Sequence, residues 1–365
     1  MVAAFEEFYK DKKVLITGHT GFKGAWMALW LLHLGATVAG YALKPPTRPS
    51  FFTLCKLKNK LRHVNGDIRD YKKLSSFIKE FQPEIVIHMA AQSLVRESYE
   101  EPLLTYSTNV MGTVNLLEAA RHCPSVQAVI NVSSDKCYQN MEWVWGYRES
   151  DSLGGDDPYS SSKGCMELIS RAYSHSYFNP RDYEQHGIAL ATVRAGNVIG
   201  GGDWAQDRLL PDLMRALIAG KPVNIRFPQA VRPWQHVLEA LGAYLFLAQK
   251  LCLQGPHFGG AWNFGPVDEE SKTVRWIVDY VIDHWGGANG FCLDNDNHPH
   301  ESGHLALDCS KARKILGWSP VWNLPTALQN TITWYKAYIN NEDVVETSLK
   351  QISDYEKALI GRKVD

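Results

Sequence analysis

The sequence predicts an α/β protein, with a doubly wound parallel sheet and a smaller α+β lobe towards its C-terminus. Three observations predict it. Short apolar runs alternate with segments of helical period through the first half of the chain, and strands separated by helices pair in parallel through right-handed crossovers. The first apolar run ends in a glycine-rich turn that opens a helix, Gly18-His-Thr-Gly21-Phe-Lys-Gly24. Beyond Gly200 the pattern loosens, because Gly201, Gly202, Pro211, Pro222, Pro228, Pro233 and Pro266 cut it into shorter elements.

In chain order, residues 14–17 read as a strand, 22–34 as a helix and 37–43 as a strand, with Pro45, Pro46 and Pro49 in the loop after it. A strand near Val64, a helix over 71–81 and a strand over 85–88 follow. The periodicity then gives one long helical region over 99–122, a buried strand over 128–132, a helix over 159–177 and a strand over 189–193. A helical pattern returns over 346–359. Residues 1–200 should therefore form mainly the sheet domain, 201–340 mainly a second lobe partly interleaved with it, and 341–365 a tail.

With 365 residues, 45% of them hydrophobic and 21% charged, the chain can bury a core that needs no disulfide or metal. Its 7 cysteines are scattered without a C-x-x-C pair, which fits a reducing cytoplasmic setting. The first residues carry acids and no apolar core of a signal peptide. Residues 25–43 are the most apolar stretch in this reading, but His33 and Gly35 interrupt it, so it reads as a helix and a strand and not as a membrane span. A net charge of -1 offers no general attraction for nucleic acid or an anionic membrane, so any anion site is built locally.

The glycine turn has a physical reason. It is tight, the backbone must approach a phosphate closely, and the helix N-terminus presents N–H groups to an anion. Its G-x-x-G-x-x-G spacing resembles the short-chain dehydrogenase/reductase superfamily. The resemblance implies a Rossmann-type sheet and a dinucleotide held by Gly18, Thr20, Gly21, Phe22, Lys23 and Gly24, with Asp67, Ile68, Ala90, Ala91, Gln92 and Asn109 lining the rest of the cofactor site. The acid that commonly holds the adenosine ribose is missing from the end of the second strand, Tyr41-Ala-Leu-Lys44. Lys44 and Arg48 would suit a 2'-phosphate, or they are solvated loop charges. Gly66-Asp67-Ile68 resembles the adenine-contacting segment of the extended members, and NAD is the expected cofactor.

Tyr159 and Lys163 stand four apart, on one face of a helix. An ammonium beside a phenol favours phenolate, which can take the proton of a sugar hydroxyl. Ser134, at the end of the preceding strand, is expected to bond the same hydroxyl. Ser134-Asp135-Lys136 adds an acid and a potential base. Simple epimerisation at C4 needs no such pair, whereas a 4,6-dehydration does. Oxidation at C4 makes the C5 proton removable, a base takes it, and an acid protonates the departing C6 hydroxyl.

At this point the chain resembles the nucleotide-sugar 4,6-dehydratases, over about residues 13–334. Many of those carry Asp-Glu here; the Asp-Lys of this sequence resembles the CDP-glucose branch. The resemblance implies Asp135 as acid and Lys136 as base, unless Lys136 merely pairs with Asp135. A lysine takes a proton only as the free amine, the form that neighbouring positive charge favours. For a CDP-glucose-like substrate, Arg208 and Arg232 are the candidates for the diphosphate, and Asn197, Gln235 and His236 for further contacts. Trp204 and Trp234 are either stacking surfaces or core. The helices over 99–122 and 159–177 are those that pair across a two-fold in the family, so a homo-oligomer, dimer or tetramer, is expected. His300-Glu-Ser-Gly-His304 matches a zinc-protease spacing, but Pro299 and Gly303 oppose the helix it needs. Asp294 and Asp296 hint at a calcium loop in which Pro299 stands where glycine is required. No metal site is expected from either.

Overall fold

The computed structural model describes residues 2–267, 272–286, 290–293 and 305–361. The first half of the chain runs α1 (Val2–Tyr9), β1 (Lys13–Thr17), α2 (Phe22–His33), β2 (Thr37–Ala42), α3 (Phe51–Leu54), β3 (Arg62–Asn65), α4 (Tyr71–Phe81), β4 (Ile85–His88), α5 (Val95–Glu100), α6 (Pro102–Tyr106), α7 (Gly112–Arg121), β5 (Ala128–Val132), α8 (Pro158–Ser176), α9 (Tyr183–His186) and β6 (Ala189–Ala195). The second half runs β7 (Asn197–Ile199), α10 (Leu209–Ile218), β8 (Val223–Ile225), β9 (Val231–Arg232), β10 (Trp234–His236), α11 (Val237–Gln254), β11 (Gly260–Phe264), β12 (Lys272–Thr273), α12 (Val274–Trp285), β13 (Phe291–Leu293), α13 (Leu324–Ile339) and α14 (Val344–Ile360).

Seven strands form one sheet in the order β11-β6-β5-β4-β1-β2-β3. Every pairing in it is parallel. Both faces of the sheet are buried, so Val, Ile and Ala fill the strands almost without alternation. Strand order reverses between β4 and β1, where ligands bind in open α/β sheets. Thr17 pairs with His88, His88 with Asn131 and Val132 with Val193, so Gly18, Met89 and Ser133 leave the sheet close together at the carboxyl ends of their strands.

The helical region over 99–122 differs from expectation. It is α5, α6 and α7, with a π-helical turn at Ser107–Met111 ahead of α7. Pro102 starts a new helix because its ring cannot continue the previous one. The π turn carries Asn109, buried, towards the loop after β4.

The chain also returns to the sheet domain from beyond residue 200. β11 is an edge strand beside β6, and α11 is buried at every position from Val237 to Gln249. This helix is apolar and long enough to cross a bilayer, but its environment here is the protein core. The tail is docked too: Trp30 Nε1 donates to Glu356 Oε1 (2.8 Å), and Tyr355 OH donates to Glu239 Oε2 (3.0 Å). All seven cysteines are free thiols.

His19, His88 and His236 are buried, and burial lowers each from 6.5 to about 3. They are therefore neutral when folded, while the unfolded chain takes up their protons below pH 6.5. The stability they contribute is fully present above that pH and is lost as pH falls towards about 3, at about 1.4 kcal/mol per pH unit for each group. Urea titrations at pH 7 and pH 5 should show a large drop in midpoint at the lower pH; equal midpoints would contradict this.

Candidate active site

The glycine turn is built as its spacing suggests. Gly18 has φ +77°, and a Cβ there would lie 2.7 Å from the Ala90 backbone nitrogen. A Cβ on Gly24 would lie 2.3 Å from the Gly18 carbonyl oxygen. Gly21 is different, with its nearest neighbour at 3.5 Å. The fold does not require glycine there, yet Gly21 caps α2 with no side chain over the helix N-terminus. That bare N-terminus fits the pyrophosphate of a dinucleotide.

Around it, Thr20 Oγ1 donates to the Leu43 carbonyl (2.9 Å), and Ala90 and Ala91 border the turn, half-buried. Asp67 is held by Arg69 at 2.6 Å, which keeps its carboxyl below the usual range, and Ile68 is buried under Gly112. Gln92 and Asn109 bond each other. Asn109 Oδ1 accepts from the Gln92 N–H (2.9 Å), while its Nδ2 donates to the Gln92 carbonyl (3.0 Å) and to Ser162 Oγ (2.8 Å). The Gln92 side chain is spent on Leu94 and Thr105. β2 runs out to exposed Lys44 and Arg48, and His19 lies over Gly40, bonded to His63 at 2.7 Å.

A cavity of about 300 Å³ opens beside this cradle. Phe22 and Lys23 form one wall, and Ser133, Ser134, Asp135, Lys136 and Tyr159 another. Ser134 Oγ donates to Asp135 Oδ1 at 2.9 Å and accepts from the Lys136 N–H at 3.2 Å. Asp135 is 3% exposed, and its Oδ2 has no hydrogen-bond partner among the described residues. Burial raises its pKa against the opposing pull of Lys136, Ser134 and Arg232. The Lys136 side chain lines the cavity beside Asp135 and makes no hydrogen bond to its carboxyl among the described residues.

Tyr159 and Lys163 correct one expectation. Burial pushes the phenol up to about 12, opposed by its hydrogen bond with Ser134. The Lys163 ammonium donates to the Val132 carbonyl at 3.1 Å. Burial, aided by the positive charge of Lys23, brings Lys163 down to about 7. In a site this dry the charged form of both groups is disfavoured, and the positive charge of Arg208 opposes the rise of the phenol.

In the second lobe, Asn197, Arg208 and Arg232 line the cavity, as does Trp234. Arg208 pairs with Asp203 (3.1 Å) and donates to Ser93 Oγ (3.1 Å). Gln235 and His236 do not line it. Gln235 Nε2 donates to the Phe264 carbonyl (2.9 Å), and His236 caps α11, its Nδ1 accepting from the Leu238 N–H at 3.3 Å. Alternation along β10 and the start of α11 turn both side chains into the core. Trp204 packs edge-on against Tyr335 and Tyr338, away from the cavity. The segment from Asp294 to His304 lies outside the described residues. Among the described residues no group of three His, Cys, Asp or Glu side chains is placed to hold a metal.

Residues 15–183 match the family described as GDP-mannose 4,6 dehydratase. Over 353 residues the chain is 55% identical to the CDP-glucose 4,6-dehydratase of Salmonella typhimurium, covering 97% of this chain and 98% of that one. The chain belongs to the nucleotide-sugar 4,6-dehydratase family. A dTDP-glucose 4,6-dehydratase of Xanthomonas campestris is 26% identical over 88% of this chain and 92% of its own length. The fold is shared with the dTDP-glucose 4,6-dehydratase DesIV of Streptomyces venezuelae, solved with NAD (TM-score 0.74, 24% identity, 91% of this chain and 99% of that one). It is shared equally with a UDP-glucose 4-epimerase of Thermus thermophilus, also solved with NAD (TM-score 0.75, 24% identity, 89% and 99%).

Two features go beyond the expected site: Lys23, expected only at the cofactor turn, and Tyr244, which was not expected at all. Lys23 lines the cavity, and its pKa is lowered to about 8 by burial and Arg208, with Asp135 and Asp203 opposing. The Tyr244 hydroxyl is buried on α11 with no partner among the described residues, and Asp135 and Tyr159 raise its pKa further. A lone hydroxyl in the apolar run 237–249 was the available signal for Tyr244.

Asp135→Asn should raise the melting temperature at pH 8. A carboxyl whose folded pKa is raised contributes stability below its unfolded value and loses it as pH rises through the folded one. The variant's advantage should shrink towards pH 4, read by thermal melts across that range. Behind the site, Glu167 and Arg194 form a buried bidentate pair. Glu167→Gln should cost about 3–5 kcal/mol by urea titration, since it leaves a buried guanidinium unbalanced.

Proposed function

We propose that the chain is a CDP-glucose 4,6-dehydratase that converts CDP-D-glucose to CDP-4-keto-6-deoxy-D-glucose. The observation that carries this reading is the buried Asp135, followed by Lys136, on the same cavity wall as Ser134 and Tyr159. When bound, NAD would supply the acceptor for the C4 hydride and the donor for its return to C6; Gly18, Gly21 and Gly24 would hold its pyrophosphate and Lys163 its ribose.

Tyr159 takes the C4 hydroxyl proton, with Ser134 bonded to the same oxygen. Lys136 takes the C5 proton made acidic by the C4 ketone. Asp135, whose pKa burial raises, gives its proton to the C6 hydroxyl, which departs as water. C5 then regains a proton as C6 gains hydride, so no net oxidation occurs. Arg208 and Arg232 hold the diphosphate and Asn197 contacts the sugar nucleotide. The choice of CDP is supported by the 55% identity to the Salmonella typhimurium enzyme. Epimerisation shares the fold, but leaves Asp135 and Lys136 without work.

The product suits precursors of dideoxy sugars in surface polysaccharide such as O-antigen, made in the cytoplasm. Exposed Leu103, Met111, Leu168 and Tyr177 on α6, the π turn and α8 support a homo-oligomer, dimer or tetramer, built on these helices. Incubation with CDP-glucose should give a product lighter by one water in mass spectrometry, with no net NADH at 340 nm. Asp135→Asn should slow this by about 10²–10⁴-fold. Water loss from dTDP- or GDP-glucose but not CDP-glucose would reassign the base; loss from none would end the proposal.

A further inference from the structure

Three charged side chains at the mouth of the cavity have no role in the reaction above. Arg96 comes from α5 in the sheet domain, Arg226 follows β8 in the second lobe, and Asp207 lies in the loop before α10. All three line the cavity. Arg96 Nη1 lies 3.0 Å from Asp207 Oδ1, and Arg226 Nη1 lies 3.3 Å from the same oxygen. Arg226 Nη2 also donates to the Asp207 carbonyl at 3.4 Å. Asp207 itself sits at φ +59°, a backbone conformation that L residues other than glycine disfavour.

Two guanidiniums from different parts of the chain therefore converge on one carboxylate oxygen, held in a disfavoured backbone conformation at a solvent-reached opening. The side chains of Arg96, Asp207 and Arg226 are 35%, 40% and 20% exposed, so a solute can reach them. A pair of guanidiniums that accepts a carboxylate accepts phosphate oxygens by the same geometry and with more charge. The next residue, Arg208, lines the same cavity.

We propose that Arg96 and Arg226 form a second anion subsite for the substrate's diphosphate, and that Asp207 is a built-in competitor which occupies this subsite until the nucleotide displaces it. The inference rests on the nucleotide-sugar reading given above. Its consequence is that affinity is held down by an internal anion, and removing that anion's charge strengthens binding.

Calorimetry on the full chain, at fixed ionic strength, with CDP and with inorganic pyrophosphate as probes, tests this. Asp207→Asn should bind both probes several-fold tighter. Arg226→Gln and Arg96→Gln should each bind them about tenfold more weakly. In D207N/R226Q the gain should disappear. Thermal melts identify any variant that has failed to fold, and the remaining arginine variant then carries the comparison. Unchanged or weaker binding of both probes by D207N would overturn the proposal, as would absence of pyrophosphate binding to the parent. Water loss from CDP-glucose with flat variant affinities would sink the subsite and leave the activity standing. Pyrophosphate binding that responds as stated, without water loss from CDP-glucose, would do the reverse.

Discussion

The Arg194 guanidinium holds the site together. Its Nε and Nη2 donate to the two oxygens of Glu167 at 2.8 and 2.9 Å, and its Nη1 donates to Tyr138 OH at 2.7 Å. Glu167 stands on α8 two turns beyond Tyr159 and one beyond Lys163, on the same face. Tyr138 follows the short turn that carries Asp135 and Lys136, and Arg194 itself ends the strand that leads to Asn197. One side chain thus fixes three segments that each carry a wall of the cavity. Thr192 and Asn263 complete the network, Thr192 Oγ1 donating to Glu167 Oε2 (2.7 Å) and Tyr138 OH to Asn263 Oδ1 (2.7 Å). A buried charge of this kind is tolerable only because its hydrogen bonds are so fully made.

The same dryness governs the titratable groups. Burial moves Asp135 and Tyr159 up and brings Lys163 down to about 7, so all three drift towards their neutral forms. For an acid that must arrive protonated this is useful directly. For a phenol proposed to take a proton it runs the other way, opposed by Ser134 and by the positive charge of Arg208, which lines the same cavity. Lys23 adds a further cation beside Asp135 and Lys163, coupling the cofactor turn to the reaction groups. Electrostatics here is a property of the assembled cavity, and no single pair sets it.

This explains which parts were legible in the sequence. Strands such as Ala128–Val132 and Ile85–His88, and the helix Tyr71–Phe81, follow from local periodicity, and the structure reproduces their bounds. The glycine turn is legible because its spacing is local and Gly24 meets the backbone of Gly18 within the same turn, although Gly18 itself meets the distant Ala90 backbone. The break at Ser107–Met111 was not legible, because it answers to Asn109 reaching the loop after β4, a contact distant in space at the sequence level. Gln235 and His236 failed for a related reason. Their neighbour Arg232 reaches the cavity, but strand alternation and a helix cap turn these two inward. Nor does any local pattern set the Tyr159 and Lys163 protonation, which depends on how deeply the finished fold buries them.

The Asp135 carboxyl shows how a hydrogen bond can give an acid a direction. Ser134 Oγ donates to Oδ1, and that bond favours leaving Oδ1 as an acceptor. A proton carried by Asp135 therefore belongs on Oδ2, the oxygen without a hydrogen-bond partner among the described residues. An unsatisfied buried atom is costly in a merely structural site, but on a proton donor it is the position from which a proton can leave. Ser134 has two tasks on this view: its hydroxyl sets which oxygen of Asp135 carries a proton, and in the proposed reaction it bonds the C4 oxygen beside Tyr159. Oxidation at C4 and protonation at C6 are then linked through one serine, which requires the sugar to sit with both carbons on the side of the cavity that Ser134 occupies.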